Sequence, residues 1–151
     1  MQLMYLTPHF TLQEFIKSDT ANAKGIDNEP SPSNVSNLIR VATTLEEVRS
    51  LLGNNPILIS SGYRCPKLNK EVGGVPTSYH VKGLAVDFTC PKFGTVKEIV
   101  EKISSSGIGF DQLIEENGRY SSWVHLGLQE REQEYRKEVL IYKDGKYIVK
   151  E

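Results

Sequence analysis

Apolar residues recur at helical spacing through Val35, Leu38, Ile39, Ala42, Leu45, Val48, Leu51 and Leu52, which predicts one long amphipathic helix. Gly53 and Pro56 stop it, and Glu46, Glu47 and Arg49 lie off the stripe as a solvated face. Two capping boxes mark shorter helices. In Thr11-Leu12-Gln13-Glu14 the threonine accepts from the backbone of the glutamate, whose side chain reaches back, and Phe10 and Phe15 form a hydrophobic staple around it. In Thr95-Val96-Lys97-Glu98 the same device starts a helix that turns Val96, Ile99, Val100 and Ile103 inward and stops near Gly107. Pro66 to Val72 reads as one more short helix, and residues 19 to 33, rich in Asn, Ser, Pro and Gly, as a loop.

Strand patterning takes over between and after these helices. Ile57 to Ser61 reads as a buried strand by composition. Leu84 to Phe88 alternates, with Leu84, Val86 and Phe88 on one side and Ala85 and Asp87 on the other. Phe110 to Glu116 and Ser121 to Leu126 form an antiparallel pair around Asn117-Gly118, and Val139 to Tyr142 with Tyr147 to Val149 make a further hairpin around Asp144-Gly145. The expected fold is a single α+β domain over residues 1–151, with helices on one face of a small, mainly antiparallel sheet.

Composition narrows the function classes. The 151 residues suit one core rather than two domains, and a net charge of -1 gives no case for nucleic-acid binding. No apolar run reaches the roughly 20 residues needed to cross a bilayer, and Met1 to Leu6 lacks the pattern of a signal peptide. The expectation is a monomer, cytoplasmic as synthesised, with neither nucleic acid nor membrane as partner. Cys65 and Cys90 lack the paired spacing of a structural zinc site; reduced thiols are expected, or a disulfide if the protein ends up outside the cell.

The candidate chemistry lies in Ser78 to Phe88 and Ser122 to Leu126. His80 stands in a polar loop, Gly83 redirects the chain, and Asp87 shares a strand face with the small Ala85, which leaves room beside the carboxylate. Of three histidines, His80 and His125 sit in or beside expected strands among apolar residues, where an unpaired imidazole is costly. His9 reads as a surface or capping group. Two imidazoles and a carboxylate are the ligand set that holds zinc while leaving one position open for water, so His80, Asp87 and His125 are the expected Zn²⁺ ligands of a hydrolytic site.

The pattern S-x-H-x-x-G-x-A-x-D, preceded by Ser61-Gly62-Tyr63-Arg64 and followed by Trp123-Val124-His125, resembles the zinc metallopeptidases that include D-Ala-D-Ala carboxypeptidases, phage L-alanyl-D-glutamate endolysins and the hedgehog domain. The likeness is to the small phage-type branch and covers roughly residues 6 to 128, leaving 129–151 as a C-terminal extension. It implies a zinc peptidase acting on peptidoglycan stem or cross-bridge peptides, with Arg64 and Ser78 binding substrate. It also suggests that the wall is reached by release at phage-type lysis.

Such a mechanism needs a carboxylate that takes the proton from water and passes it to the leaving amine. Many of the resembling enzymes place a glutamate three residues before the second histidine, where this chain has Ser122. Glu115 and Glu116 are the alternatives, and strand parity separates them: a loop with an even number of residues puts Glu116 on the face of His125 and Glu115 on the other. A two-residue Asn117-Gly118 turn would leave Glu116 roughly 20 Å from His125. A six-residue loop over Asn117 to Ser122 pairs Glu116 with Trp123, and the phage-type relatives carry an acid in a run similar to Phe110-Asp111-Gln112-Leu113-Ile114-Glu115-Glu116, so Glu116 is the expected base. Asp111 has the wrong parity, and Gln112 can orient a ligand but not take a proton. The rival reading is a zinc-containing binding module or phage structural part without turnover, which the serine at position 122 favours.

Overall fold

A computed structural model describes residues 2–150; the two end residues of the expected domain lie outside it. In chain order the elements are β1 (Tyr5–Thr7), β2 (Phe10–Thr11), α1 (Leu12–Ile16), α2 (Asp19–Lys24), α3 (Pro32–Leu51), β3 (Leu58–Ser61), α4 (Pro66–Glu71), β4 (Ala85–Thr89), α5 (Val96–Ser104), β5 (Gln112–Asn117), β6 (Ser122–Gly127), β7 (Glu138–Lys143) and β8 (Lys146–Val149). A 3-10 turn over Tyr79–Lys82 precedes β4. The fold is α+β. Its main sheet has the order β3-β4-β6-β5-β7-β8, antiparallel throughout except between β5 and β7.

Both capping boxes form as expected, at Thr11 with Glu14 and at Thr95 with Glu98. Phe10 and Phe15 are buried with ring centroids 6.4 Å apart. One turn of helix, α2, replaces part of the loop expected over residues 19 to 33. Ser18 caps it by accepting from the Ala21 amide, and Gly25 ends it in the left-handed region at φ 64°. A polar sequence of this length has no hydrophobic period to reveal it, whereas its caps are local and strong.

The long helix buries Leu38, Val41, Ala42, Leu45 and Val48, so the stripe includes Val41 and excludes Ile39, which is 41% exposed. Ile39 lies about 100° round from Leu38, on the flank away from Val41 and Leu45. Glu46 is not simply solvated: it accepts from the His9 backbone amide and meets its Nδ1 at 2.7 Å, which ties the N-terminal segment to α3.

The expectation of a buried strand at Ile57 to Ser61 is corrected. Among the described residues β3 is the edge of the sheet, paired only with β4, and Leu58 is 54% exposed. Composition reports a strand's propensity but not its place in a sheet. α3 and α5 cover one face of the sheet through Val86, Phe88, Leu113, Val124 and Leu126, and the opposite face carries the polar side chains of interest.

Glycine at position 62 is required by a close approach. A Cβ there would lie 2.5 Å from the Phe15 carbonyl oxygen, whose backbone already accepts from the Tyr63 amide at 2.7 Å. Gly62→Ala is expected to cost about 1–3 kcal/mol by overpacking. Thermal unfolding would register this as a Tm lowered by about 2–4 °C per kcal/mol. An unchanged Tm would contradict that packing.

Candidate metal centre

Asp87 on β4 and His125 on β6 are direct cross-strand partners, so their side chains leave the same face side by side. His80 comes from the 3-10 turn, which Ser78 caps by accepting from the His80 amide. Gly83 closes the turn at φ 74° with no room for a side chain, since a Cβ would meet the Asn34 carbonyl oxygen at 2.8 Å. The sequence thus folds locally so that a loop imidazole drops onto the strand pair.

His80 and Asp87 are buried, and His125 is half-buried. His80 Nδ1 lies 2.6 Å from the Gly62 carbonyl oxygen, which only accepts; Nδ1 therefore carries the proton, and Nε2 presents its lone pair to the site. Nε2 is 3.3 Å from Asp87 Oδ1, and His125 Nδ1 is 2.9 Å from the same oxygen. The three ligand atoms lie within 4.8 Å of one another. A tetrahedral ion with bonds of about 2.0–2.1 Å has donor-to-donor edges of about 3.3 Å, so these residues fit such an ion with little rearrangement.

The electrostatics agree. Burial alone would raise the Asp87 carboxyl, but in the metal-free site a protonated His80 beside it and hydrogen bonds from both rings overcome this and hold the group below the usual carboxylate range, and a cation that takes the place of those ring protons acts in the same direction. Asp87 is thus kept ionised, as a ligand must be.

Glu116 reaches the same face. β5 and β6 pair in the register Glu116↔Trp123, with Ile114 opposite His125. Glu116 is diagonal to His125, about 7–8 Å across the strands and within reach of a long side chain. Pairing continues one step further, to Asn117↔Ser122, so the loop has four residues rather than six and keeps the even parity. Glu115 faces the helices, where Asn117 Nδ2 donates to its Oε2 at 3.0 Å. Burial raises the Glu116 carboxyl above its ordinary value, with His125 pulling it back and Asp87 adding to the rise. Ser122 is exposed and donates to Asn117 Oδ1.

Glu116, His125 and Ser78 line one cleft of about 450 Å³. Arg64 does not line it. Its guanidinium donates to Ser61 Oγ and Asn69 Oδ1, approaches Asp87 Oδ2 to 3.8 Å, and faces a neighbouring polar pocket of about 320 Å³ shared with Lys17, Ser18 and Thr20. Burial lowers its pKa against the pull of Asp87. Asp111, of the wrong parity for catalysis, is fully buried and binds the backbone N, Nε and Nη2 of Arg136, while Gln112 donates to Glu138.

Several supporting residues gave no signal in the sequence. The Gly62 carbonyl fixes the His80 tautomer. Asn69, buried, holds Arg64 and the Val75 carbonyl. Tyr79 packs so closely over Gly127 that a Cβ there would be 3.0 Å from its ring, and its hydroxyl accepts from Gln129 and Arg136. Cys65 and Cys90 are free; Cys65 Sγ accepts from the Leu68 amide at the start of α4.

His80, Asp87 and His125, gathered over the uncovered face of the sheet with Glu116 nearby, could hold a metal ion, and such a set is the kind that metal-dependent hydrolases use. The family model described as Peptidase M15 matches residues 8–127. The chain therefore belongs to the peptidase M15 family, and the three clustered residues and Glu116 all fall within the matched span. No curated protein matches it significantly. No helix among the described residues is long and apolar enough to cross a membrane.

Proposed function

We propose that this protein is a zinc-dependent peptidase that hydrolyses peptidoglycan stem or cross-bridge peptides, with His80, Asp87 and His125 as the zinc ligands and Glu116 as the general base. The observation that carries it is the convergence of His80 Nε2, His125 Nδ1 and a buried Asp87 carboxylate, with Glu116 diagonal to His125 on the same face. Zinc, when bound, supplies a Lewis acid for the scissile carbonyl and lowers the pKa of water. The Gly62 carbonyl holds the His80 ring in the tautomer that leaves Nε2 free. Glu116 takes the proton of the attacking water on its carboxylate and returns it to the leaving amine nitrogen.

Ser78, whose Oγ accepts from the His80 amide, keeps its own proton to donate to a substrate carbonyl at the cleft wall. Arg64 and Lys17, against the single carboxylate of Asp19, leave the adjoining pocket net positive, which suits a substrate carboxylate lying on the Asp87 side of the cleft. Release at lysis would bring such a protein to the wall.

Purified protein with and without zinc, incubated with bacterial cell walls, tests the proposal by mass spectrometry of the released fragments. New peptide ends are expected only in the zinc-replete sample. A protein that retains about one zinc per chain by elemental analysis and still releases nothing would favour the rival binding module, to which the serine at position 122 lends support.

A further inference from the structure

The family match stops at residue 127, yet the sheet continues through β7 and β8, whose outer residues face the catalytic side. Glu116 pairs with Tyr142 across the parallel β5–β7 ladder, and Tyr142 pairs with Tyr147 across β7–β8. Trp123, Glu116, Tyr142 and Tyr147 therefore form one row on the metal face, beside the row that holds Asp87 and His125. Tyr147 lines the same cleft as Glu116 and His125. The two tyrosine rings lie 4.7 Å apart between centroids and are tilted by 53°. Tyr147 is 59% exposed and Val149, next on that face, 68%.

Uncommitted charge is missing from the hairpin's side of the cleft: Arg136 lines the same cleft as Tyr147, but its guanidinium is held by Asp111 and the Tyr79 hydroxyl. The cleft-facing positions of the hairpin are Glu138, Leu140, Tyr142, Tyr147 and Val149, and Glu138 is already engaged by Gln112 and approached by Arg136. Lys143 and Lys146 have the opposite parity, and Lys150 reaches Glu101 of α5 on the helix side. On the cleft-facing residues of the hairpin itself a charged peptide terminus finds no uncommitted partner. An aromatic face with a wet hydroxyl edge suits a neutral ring that carries C–H bonds on its faces and hydroxyls on its rim.

We infer that the C-terminal hairpin is a saccharide subsite continuous with the cleft, in which Tyr147, supported by Tyr142, stacks on a pyranose ring of the glycan to which the substrate peptide is attached. This rests on the proposed reading of the site as a peptidoglycan peptidase. It gives the extension a specificity role, because a peptide still joined to its sugar is held at two points and a bare peptide at one.

Two measurements test it separately from the hydrolase reading. N-acetylglucosamine trimer, titrated into the protein and followed by NMR, should shift the Tyr142 and Tyr147 resonances. Tyr147→Ala should weaken that binding about tenfold or more, and Tyr147→Trp, which keeps an aromatic face, should retain it. The ratio of kcat/KM for a disaccharide-linked peptide over the same peptide without sugar should exceed one in the parent protein and fall about tenfold in Tyr147→Ala. Trimer binding without cleavage of either peptide would sink the hydrolase reading and leave the subsite standing. Cleavage of both peptides at equal rates, with no trimer binding, would overturn the subsite and leave the hydrolase.

Discussion

Glu116→Gln is expected to retain zinc at the parent's stoichiometry and to lose turnover of a wall peptide by about 10²-fold or more. The amide is nearly the same size as the carboxylate and keeps its place in the Glu116↔Trp123 pair, but it cannot take a proton from water. The pH profile sharpens the test. Glu116 must be ionised to act, so kcat/KM falls as pH drops through its pKa, which burial raises above the ordinary carboxylate value. In Glu116→Gln that acid limb should vanish from whatever activity remains. A variant with parental turnover would move the proton transfer to another group, and Glu115, turned toward the helices with Asn117 as its partner, is badly placed to receive it.

His125→Ala should have the larger effect, because it removes a ligand rather than a base. Elemental analysis after dialysis is expected to find the metal lost, and cell-wall hydrolysis should disappear with it. In the metal-free site Asp87 would also lose its contact with His125 Nδ1, which helps hold its carboxyl below the usual range there, and would keep only His80 and the more distant Arg64. Comparing the metal content of His125→Ala and Glu116→Gln separates ligand from base in one experiment. Full zinc retention in His125→Ala would remove that histidine from the proposed ligand set.

The cluster of His80, Asp87 and His125 was legible in the chain for a local reason. His80 and Asp87 are seven residues apart, joined by a turn that Gly83 permits, and strand alternation then fixes which way Asp87 points. The choice of Glu116 over Glu115 rested on parity and on the acid that the resembling phage-type enzymes carry in a similar run. The parity itself survived a wrong loop length because four and six residues are both even. The Asn117-Gly118 pair, a strong local hairpin signal, did not make the two-residue turn; Asn117 instead pairs with Ser122 and hydrogen-bonds to it, Glu115 and the Tyr142 carbonyl. By contrast Asp144-Gly145 does, with φ of 52° and 76° at its two residues.

Less legible were the partners that several distant segments supply at once. Nothing in Arg64 itself indicates that Asn69 and Ser61 turn it toward a second pocket, nor does Gly62 announce that its carbonyl fixes the His80 ring. Leu58 reads as a core residue in isolation and is exposed because its pairing with Thr89 turns it away from the helix-covered face that Ile59 and Phe88 share.

By itself the sequence determined the main elements other than α2 and the β1–β2 pair, both capping boxes, the identity of the three clustered side chains and the parity of the glutamate, since periodicity and turn chemistry act over a few residues. Only the tertiary structure decided the order of strands, the edge position of β3, the parallel docking of β7 on β5, and hence the meeting of Tyr147 with the cleft. These depend on contacts between residues far apart in the chain, which no local pattern encodes.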